Sequence, residues 1–296
     1  MSLNTTSADG SKAPAFAGVH LSGPNANKTA LVVLQGNPRE RPLKIGKVYE
    51  RIGTFGSLFS DERLVDILTH AGPFAEVFID CPLTVPPCVA CQRPVCPGAM
   101  KCDDVSVAYM LAISSRVRRR GARKARPVNP QSQRLWDALQ LDEGPEERLE
   151  PFYSANQAPL VARARTLQRR LNSLTPVIEL RETQVANALL ALAAPLGLPP
   201  TVRQSYRSFE EGLICRNNIL RCMTEKGWLA RAEMVEDLDT VCQSVEAFSA
   251  FVAALVGALY GAGLTGPRPS GYIEGEGWVH LPELTQQVAF SSPARE

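Results

Sequence analysis

EVFIDCPLTVPPCVACQRPVCPGAMKC, residues Glu76 to Cys102, opens as a strand and closes as a cysteine loop. Val77, Phe78 and Ile79 form a short apolar, partly β-branched run of the kind that sits inside a sheet, and it delivers one carboxylate, Asp80, at its end. Pro82, Pro86 and Pro87 then stop the strand. Cys88, Cys91, Cys96 and Cys102 follow with the spacing C-x2-C-x4-C-x5-C. Four thiolates so close in sequence can close a tetrahedral Zn2+ site, and a site with four protein ligands is structural because it leaves no position for substrate. An iron-sulfur cluster uses the same ligands, and Cys96 followed by Pro97 suits it. The bland alternative is unmetallated buried thiols, against which stand the Pro and Gly neighbours, poor material for a core.

Composition bounds the rest of the chain. At 296 residues, 45% hydrophobic and 21% charged, it is long enough to bury one large core or two modest ones, and nothing in it suggests general disorder. A net charge of +2 is too mild to argue for nucleic acid by itself, so that argument rests on where basic residues cluster. The first fifteen residues lack the apolar core of a signal peptide, and no apolar run reads as a membrane span. The expectation is a cytoplasmic protein without a membrane partner, where reduced thiols favour metal over disulfides.

Outward from the central stretch, Phe16–Leu21, Thr29–Gln35 and Leu43–Ile52 read as strands, the first two joined by a turn rich in Ser, Gly, Pro and Asn. Ser60 can cap a helix that Gly72 and Pro73 end, after which comes the strand at Val77. This order predicts an antiparallel meander whose fourth strand returns parallel to the first. Helices are expected from Val105, over Gln131–Leu141, from Pro159, over Thr183–Ala194, over Tyr206–Thr224, and as one Ala-rich element over Thr240–Tyr260. Pro176–Leu180 reads as the fifth strand and Trp278–Leu281 as a last short strand or extended cover. The pattern predicts one α/β domain over 15–287, with the metal loop inserted at 86–103 and flexible tails at 1–14 and 288–296.

Two further constellations bear on chemistry. Asp80 and Glu179 stand at the ends of predicted neighbouring strands, where paired acids can hold Mg2+ or Mn2+ and activate water, or can simply form salt bridges. Arg116, Arg118, Arg119, Arg120, Arg123, Lys124 and Arg126 crowd the end of one predicted helix, and Arg163, Arg165, Arg169 and Arg170 line another. Arginine suits bidentate phosphate contact, so these faces are candidate nucleic-acid surfaces; a solvated helix end is the plain alternative. Cys81, Cys215, Cys222 and Cys242 read as core residues.

The segments FAGVHLSGP, EVFIDCPLTVPPCVACQRPVC, PVNPQSQR, VARARTLQRRL, PVIEL and SVEAFSAFVAALVGALYGAG with EGEGWVHLPE resemble the predicted RNase H-like nucleases classed as domain of unknown function 429. The resemblance spans nearly the whole chain. It implies an RNase H-like fold, a five-stranded mixed sheet with helices on both faces, and metal-dependent nucleic-acid cleavage as the ancestral activity. Two acidic positions of that family are altered: the first strand carries His20 where an aspartate is usual, and the C-terminal helix carries Ser249, with Glu246 one turn earlier as a substitute. Asp80 and Glu179 are kept. Histidine is a poor Mg2+ ligand, although it accepts Mn2+ or Zn2+, and serine cannot replace a lost charge; a plain reading of His20 is a strand histidine satisfied by Asp80. Two expectations follow: a degenerate nuclease fold that binds nucleic acid or a protein partner, or an active nuclease using His20, Asp80, Glu179 and Glu246 around Mg2+ or Mn2+.

Overall fold

The computed structural model describes residues 13–23, 28–53, 56–119, 128–143, 157–231, 235–268, 273 and 277–284. The chain packs as two compact units, one built from 1–81, 166–266 and 280–296, the other from 82–165 and 267–279. Most of both expected tails lies outside the described residues.

The first unit carries a five-stranded mixed sheet. Strands β1 (Ala15–His20), β2 (Ala30–Gln35) and β3 (Lys44–Tyr49) form an antiparallel meander. Strand β4 (Glu76–Ile79) then runs parallel to β1, and β5 (Leu180–Glu182) parallel to β4, giving the order β3-β2-β1-β4-β5. The meander and the parallel return agree with the sequence pattern. β5 does not: it starts where the expected fifth strand, Pro176–Leu180, ends. Its register is set by Val77 opposite Leu180 and Ile79 opposite Glu182, so tertiary pairing rather than local apolar content chose the strand.

Helix α1 (Gly56–His70) precedes β4, and it begins a turn before Ser60 rather than at it. Helices α6 (Val185–Leu196), α7 (Val202–Ser205), α8 (Gly212–Glu225), α9 (Val235–Gln243) and α10 (Val245–Gly261) follow β5. The stretch expected as one helix over Thr240–Tyr260 is thus two helices, bent by 110°. The break is at Ser244, whose hydroxyl accepts the Ala247 N–H at 3.1 Å and caps α10. Among the described residues, no single helix is long and apolar enough to cross a membrane.

Every residue of α10 from Ala247 to Leu259 is buried, as an all-round apolar helix requires. It shares one core with α6, α8 and one face of the sheet, represented by Phe16, Ala30, Val32, Leu34 and Phe78. The alternate residues Ala17, Val19, Leu31, Val33, Val77 and Ile79 are buried too, so both faces of the sheet are covered. Each large side chain withdrawn from water in this way contributes roughly 1.5–3 kcal/mol.

The second unit contains a one-turn helix α2 (Pro87–Ala90), a 3-10 turn (Ala99–Lys101), α3 (Val105–Arg119) and α4 (Leu135–Glu143). Its core is smaller: Met110, Ile113, Val128, Leu135, Ala138 and Leu139. Helix α5 (Ala158–Asn172) starts at Pro159 in its first turn, as expected, and buries Val161, Ala164, Leu167 and Leu171.

The approach of α10 to β1 depends on Gly18. A Cβ there would lie 2.0 Å from the Ala250 carbonyl oxygen and 2.2 Å from the Ala254 nitrogen, both backbone atoms that cannot swing aside. Gly18→Ala is therefore expected to destabilise the fold by about 3 kcal/mol or more, at the top of the range for overpacking. Urea denaturation measures it, and a loss under about 1 kcal/mol would contradict this packing.

Candidate functional site

The strand ends bring His20 and Asp80 together. Val19 pairs with Ile79, and the Asp80 N–H donates to the Val19 carbonyl at 3.0 Å, which carries the parallel ladder one residue beyond the strands. Strand alternation sets Gly18, His20, Phe78 and Asp80 on the face covered by α10. On that face His20 Nδ1 lies 3.4 Å from Asp80 Oδ2. At that length the contact lacks full hydrogen-bond geometry.

Asp80 is almost fully committed within the fold. Its side chain is 5% exposed, and Oδ2 also meets Arg207 Nη2 at 3.5 Å. Oδ1 accepts the Val185 N–H at 3.0 Å. Val185 is the first residue of α6, and Gln184 before it makes no side-chain cap, so Asp80 reaches across from β4 to satisfy one of the free N–H groups of that helix and to meet the positive end of its dipole. Burial works against the charge, but His20, Arg207 and the Val185 N–H outweigh it and hold the carboxyl below its ordinary range.

Two residues without any signal in the sequence complete the cluster. Tyr206, at the end of α7, and Arg207 after it lie far along the chain from Asp80, and only the tertiary fold brings them there. The Arg207 guanidinium stacks 5.0 Å from the centre of the Tyr206 ring. Burial, reinforced by Asp80, keeps the Tyr206 phenol well above its ordinary range, so it stays a neutral O–H donor. Ser249 of α10 is fully buried beside it, and the two hydroxyls interact without forming a hydrogen bond of normal geometry.

The remaining expected acids lie elsewhere. Glu179 precedes β5, level with Glu76, and so stands at the opposite end of the strands from Asp80, roughly 13 Å away at the rise of a strand. Its side chain is 64% exposed and pairs with Arg181 at 3.0 Å; Arg181 also donates to Glu76 at 2.7 Å. The salt-bridge reading holds there. Glu182, buried in β5, is the acid nearest Asp80 in register, but alternation puts it on the opposite face. Glu246 pairs with Lys28 at 3.5 Å and lines a polar cleft of about 510 Å3 with Glu50, Arg51 and Gln243, a cleft that includes neither His20 nor Asp80.

The four loop cysteines, Cys88, Cys91, Cys96 and Cys102, are half-buried or exposed and unbridged. Burial, with Cys102, Cys96, Cys91 and Asp104 nearby, pushes the Cys88 thiol up. As the side chains stand, no three His, Cys, Asp or Glu groups among the described residues are gathered to hold a metal ion. Cys81 is buried, and Cys215, Cys222 and Cys242 pack half-buried against the large core. On α5, Arg165, Arg169 and Arg170 are exposed and Arg163 half-buried. The side chains of Arg116, Arg118 and Arg119, and all of Arg120, Arg123, Lys124 and Arg126, lie outside the described residues.

Comparison with protein-family profiles, with curated proteins and with solved structures returns no match to this chain.

Because the folded carboxyl of Asp80 ionises more readily than a free one, its stabilising effect is complete above the unfolded pKa of about 4 and is lost as pH falls through the lower folded value. Asp80→Asn should therefore cost about 2 kcal/mol at neutral pH, a buried pair discounted for the half-exposed Arg207, with the difference from wild type shrinking below about pH 4. A difference that stays constant from pH 7 to pH 3 would contradict it. Glu179→Gln removes only a surface partner and should change stability by less than about 1 kcal/mol in the same denaturation experiment; a larger loss would give Glu179 a role that its position denies.

Proposed function

We propose that this chain is a catalytically silent protein of RNase H-like fold that binds nucleic acid through arginine-rich surfaces. The observation that carries the silent reading is the state of Asp80: its buried carboxylate meets His20 and Arg207 and accepts the first N–H of α6, so its charge is balanced from within. A pair of Mg2+ ions needs several convergent oxygen ligands with negative charge. Here the positions around Asp80 hold a histidine, an arginine and neutral hydroxyls, while Glu179 and Glu246 point to other sites. The donor set does not fit that pair of ions.

Support for the fold assignment comes from the sheet order and the single antiparallel β2, which agree with what the sequence resemblance implies. Support for nucleic acid comes from α5, whose buried apolar stripe leaves Arg165, Arg169 and Arg170 facing water, and from the arginine content of 116–126. One observation favours a protein partner instead: Phe209, Leu213 and Ile214, close together in sequence, are large apolar residues left exposed.

Labelled single- and double-stranded DNA and RNA, incubated with the protein and Mg2+ or Mn2+, test the first half of the reading, and fluorescence anisotropy of the same probes without added divalent metal or chelator tests the second. We expect no metal-dependent cutting, and binding that weakens steeply with salt and falls about tenfold in Arg165→Glu/Arg169→Glu, as two lost and reversed phosphate contacts imply. Cleavage abolished by Asp80→Asn would overturn the silent reading. Binding absent at low salt would overturn the nucleic-acid reading and leave the protein surface.

A further inference from the structure

We propose that Cys88, Cys91, Cys96 and Cys102 form a structural Zn2+ site that braces the loop between β4 and α3. The loop has no apolar core of its own. From Pro87 to Lys101 no residue is buried, and Val89, Val95 and Met100 are 56%, 77% and 85% exposed, so no apolar core holds this stretch in shape. A loop of this length without a core needs a cross-link, and a metal supplies one in a small unit.

The loop is tied at both ends. At its start the Cys88 N–H donates to the Pro130 carbonyl at 3.1 Å. At its end Asp103 pairs with Arg93, and Asp104 accepts the Val107 N–H at 3.1 Å, capping α3. The first and last cysteines therefore sit at fixed points, with Cys91 and Cys96 on the exposed turn between them. Cys91, Cys96 and Cys102 all lie within electrostatic reach of Cys88, so the four thiols share one stretch of the loop.

One cysteine sulfur accepts a backbone hydrogen bond. The Gly98 N–H donates to Cys96 Sγ at 3.4 Å. Gly98 has φ +84°, and a Cβ there would meet nothing within 4 Å, so glycine is needed for its backbone conformation, which turns that N–H back onto the sulfur. An N–H aimed at a cysteine sulfur is the outer contact that stabilises a metal-bound thiolate. Arg93 and Lys101 place positive charge in the same loop, Arg93 within reach of Cys91 and Cys102, against the two negative charges of a Zn(Cys)4 centre. Loading exchanges four thiol protons, released to solvent, for one Zn2+. All-sulfur tetrahedral donors select Zn2+ over hard cations.

The test uses the full chain purified under reducing conditions without chelator. Elemental analysis should find one zinc per chain, absent from Cys91→Ser/Cys96→Ser and retained in Cys215→Ser. Co2+ exchanged into the wild type should give the intense visible absorption of tetrahedral thiolate coordination, which serves if the double variant fails to fold. Gly98→Ala should release its metal to a chelator at least tenfold faster than wild type. Absence of metal together with no tetrahedral Co2+ spectrum would overturn the proposal. So would stoichiometric iron with acid-labile sulfide, or a Cys91–Cys96 disulfide persisting under reduction.

Discussion

The close contact of α10 with β1 is the constraint on which the rest of the first unit depends. Because Gly18 has no side chain, the helix backbone lies directly against the strand. Farther along, Gly257 admits the ring of Phe78, whose edge would lie 3.0 Å from a Cβ there. This contact fixes the direction of α10: its C-terminal Gly261 meets Phe16 at the start of β1, so its N-terminal half, with Ser249, lies toward the strand end that bears His20. The helix thus fixes both the core and the neighbours of Asp80.

With those neighbours in place, Asp80 acts as an internal fastener. It joins β4 to β1 through His20, to the start of α6 through Val185, and to the segment after α7 through Arg207. A buried carboxylate without such partners would cost several kcal/mol. The same partners that make the charge tolerable lie against both carboxylate oxygens. Tyr206 and Ser249 add neutral hydroxyls, so the charge around Asp80 is balanced rather than negative.

Much of the fold was legible in local pattern. Short apolar runs marked β1, β2 and β4, and the all-apolar stretch marked α10, because these segments are buried on every side and composition alone reveals that. The pairing of His20 with Asp80 was also readable, since both end strands expected to be neighbours. β5 was misread because the apolar VIEL looked more strand-like than LRE, whereas pairing with Val77–Ile79 selected the latter. That shift of a few residues moved Glu179 from the expected site to the opposite strand end. The break at Ser244 was written in the sequence as a capping serine inside an apolar run. Tyr206 and Arg207 left no such trace, because their role depends on a loop between helices arriving at a sheet edge more than a hundred residues away in sequence.

The central claim is that Asp80 is satisfied within the fold and leaves no site for a divalent ion at this sheet edge. The chain has only 3 histidines, His20, His70 and His280, so their ring signals can be assigned in an NMR spectrum by substitution. Titration with Mn2+, a paramagnetic ion that broadens nearby resonances, reports directly on the environment of His20. The account predicts that the His20 signals stay sharp at stoichiometric Mn2+. Selective, saturable broadening of His20 that disappears in Asp80→Asn would contradict it.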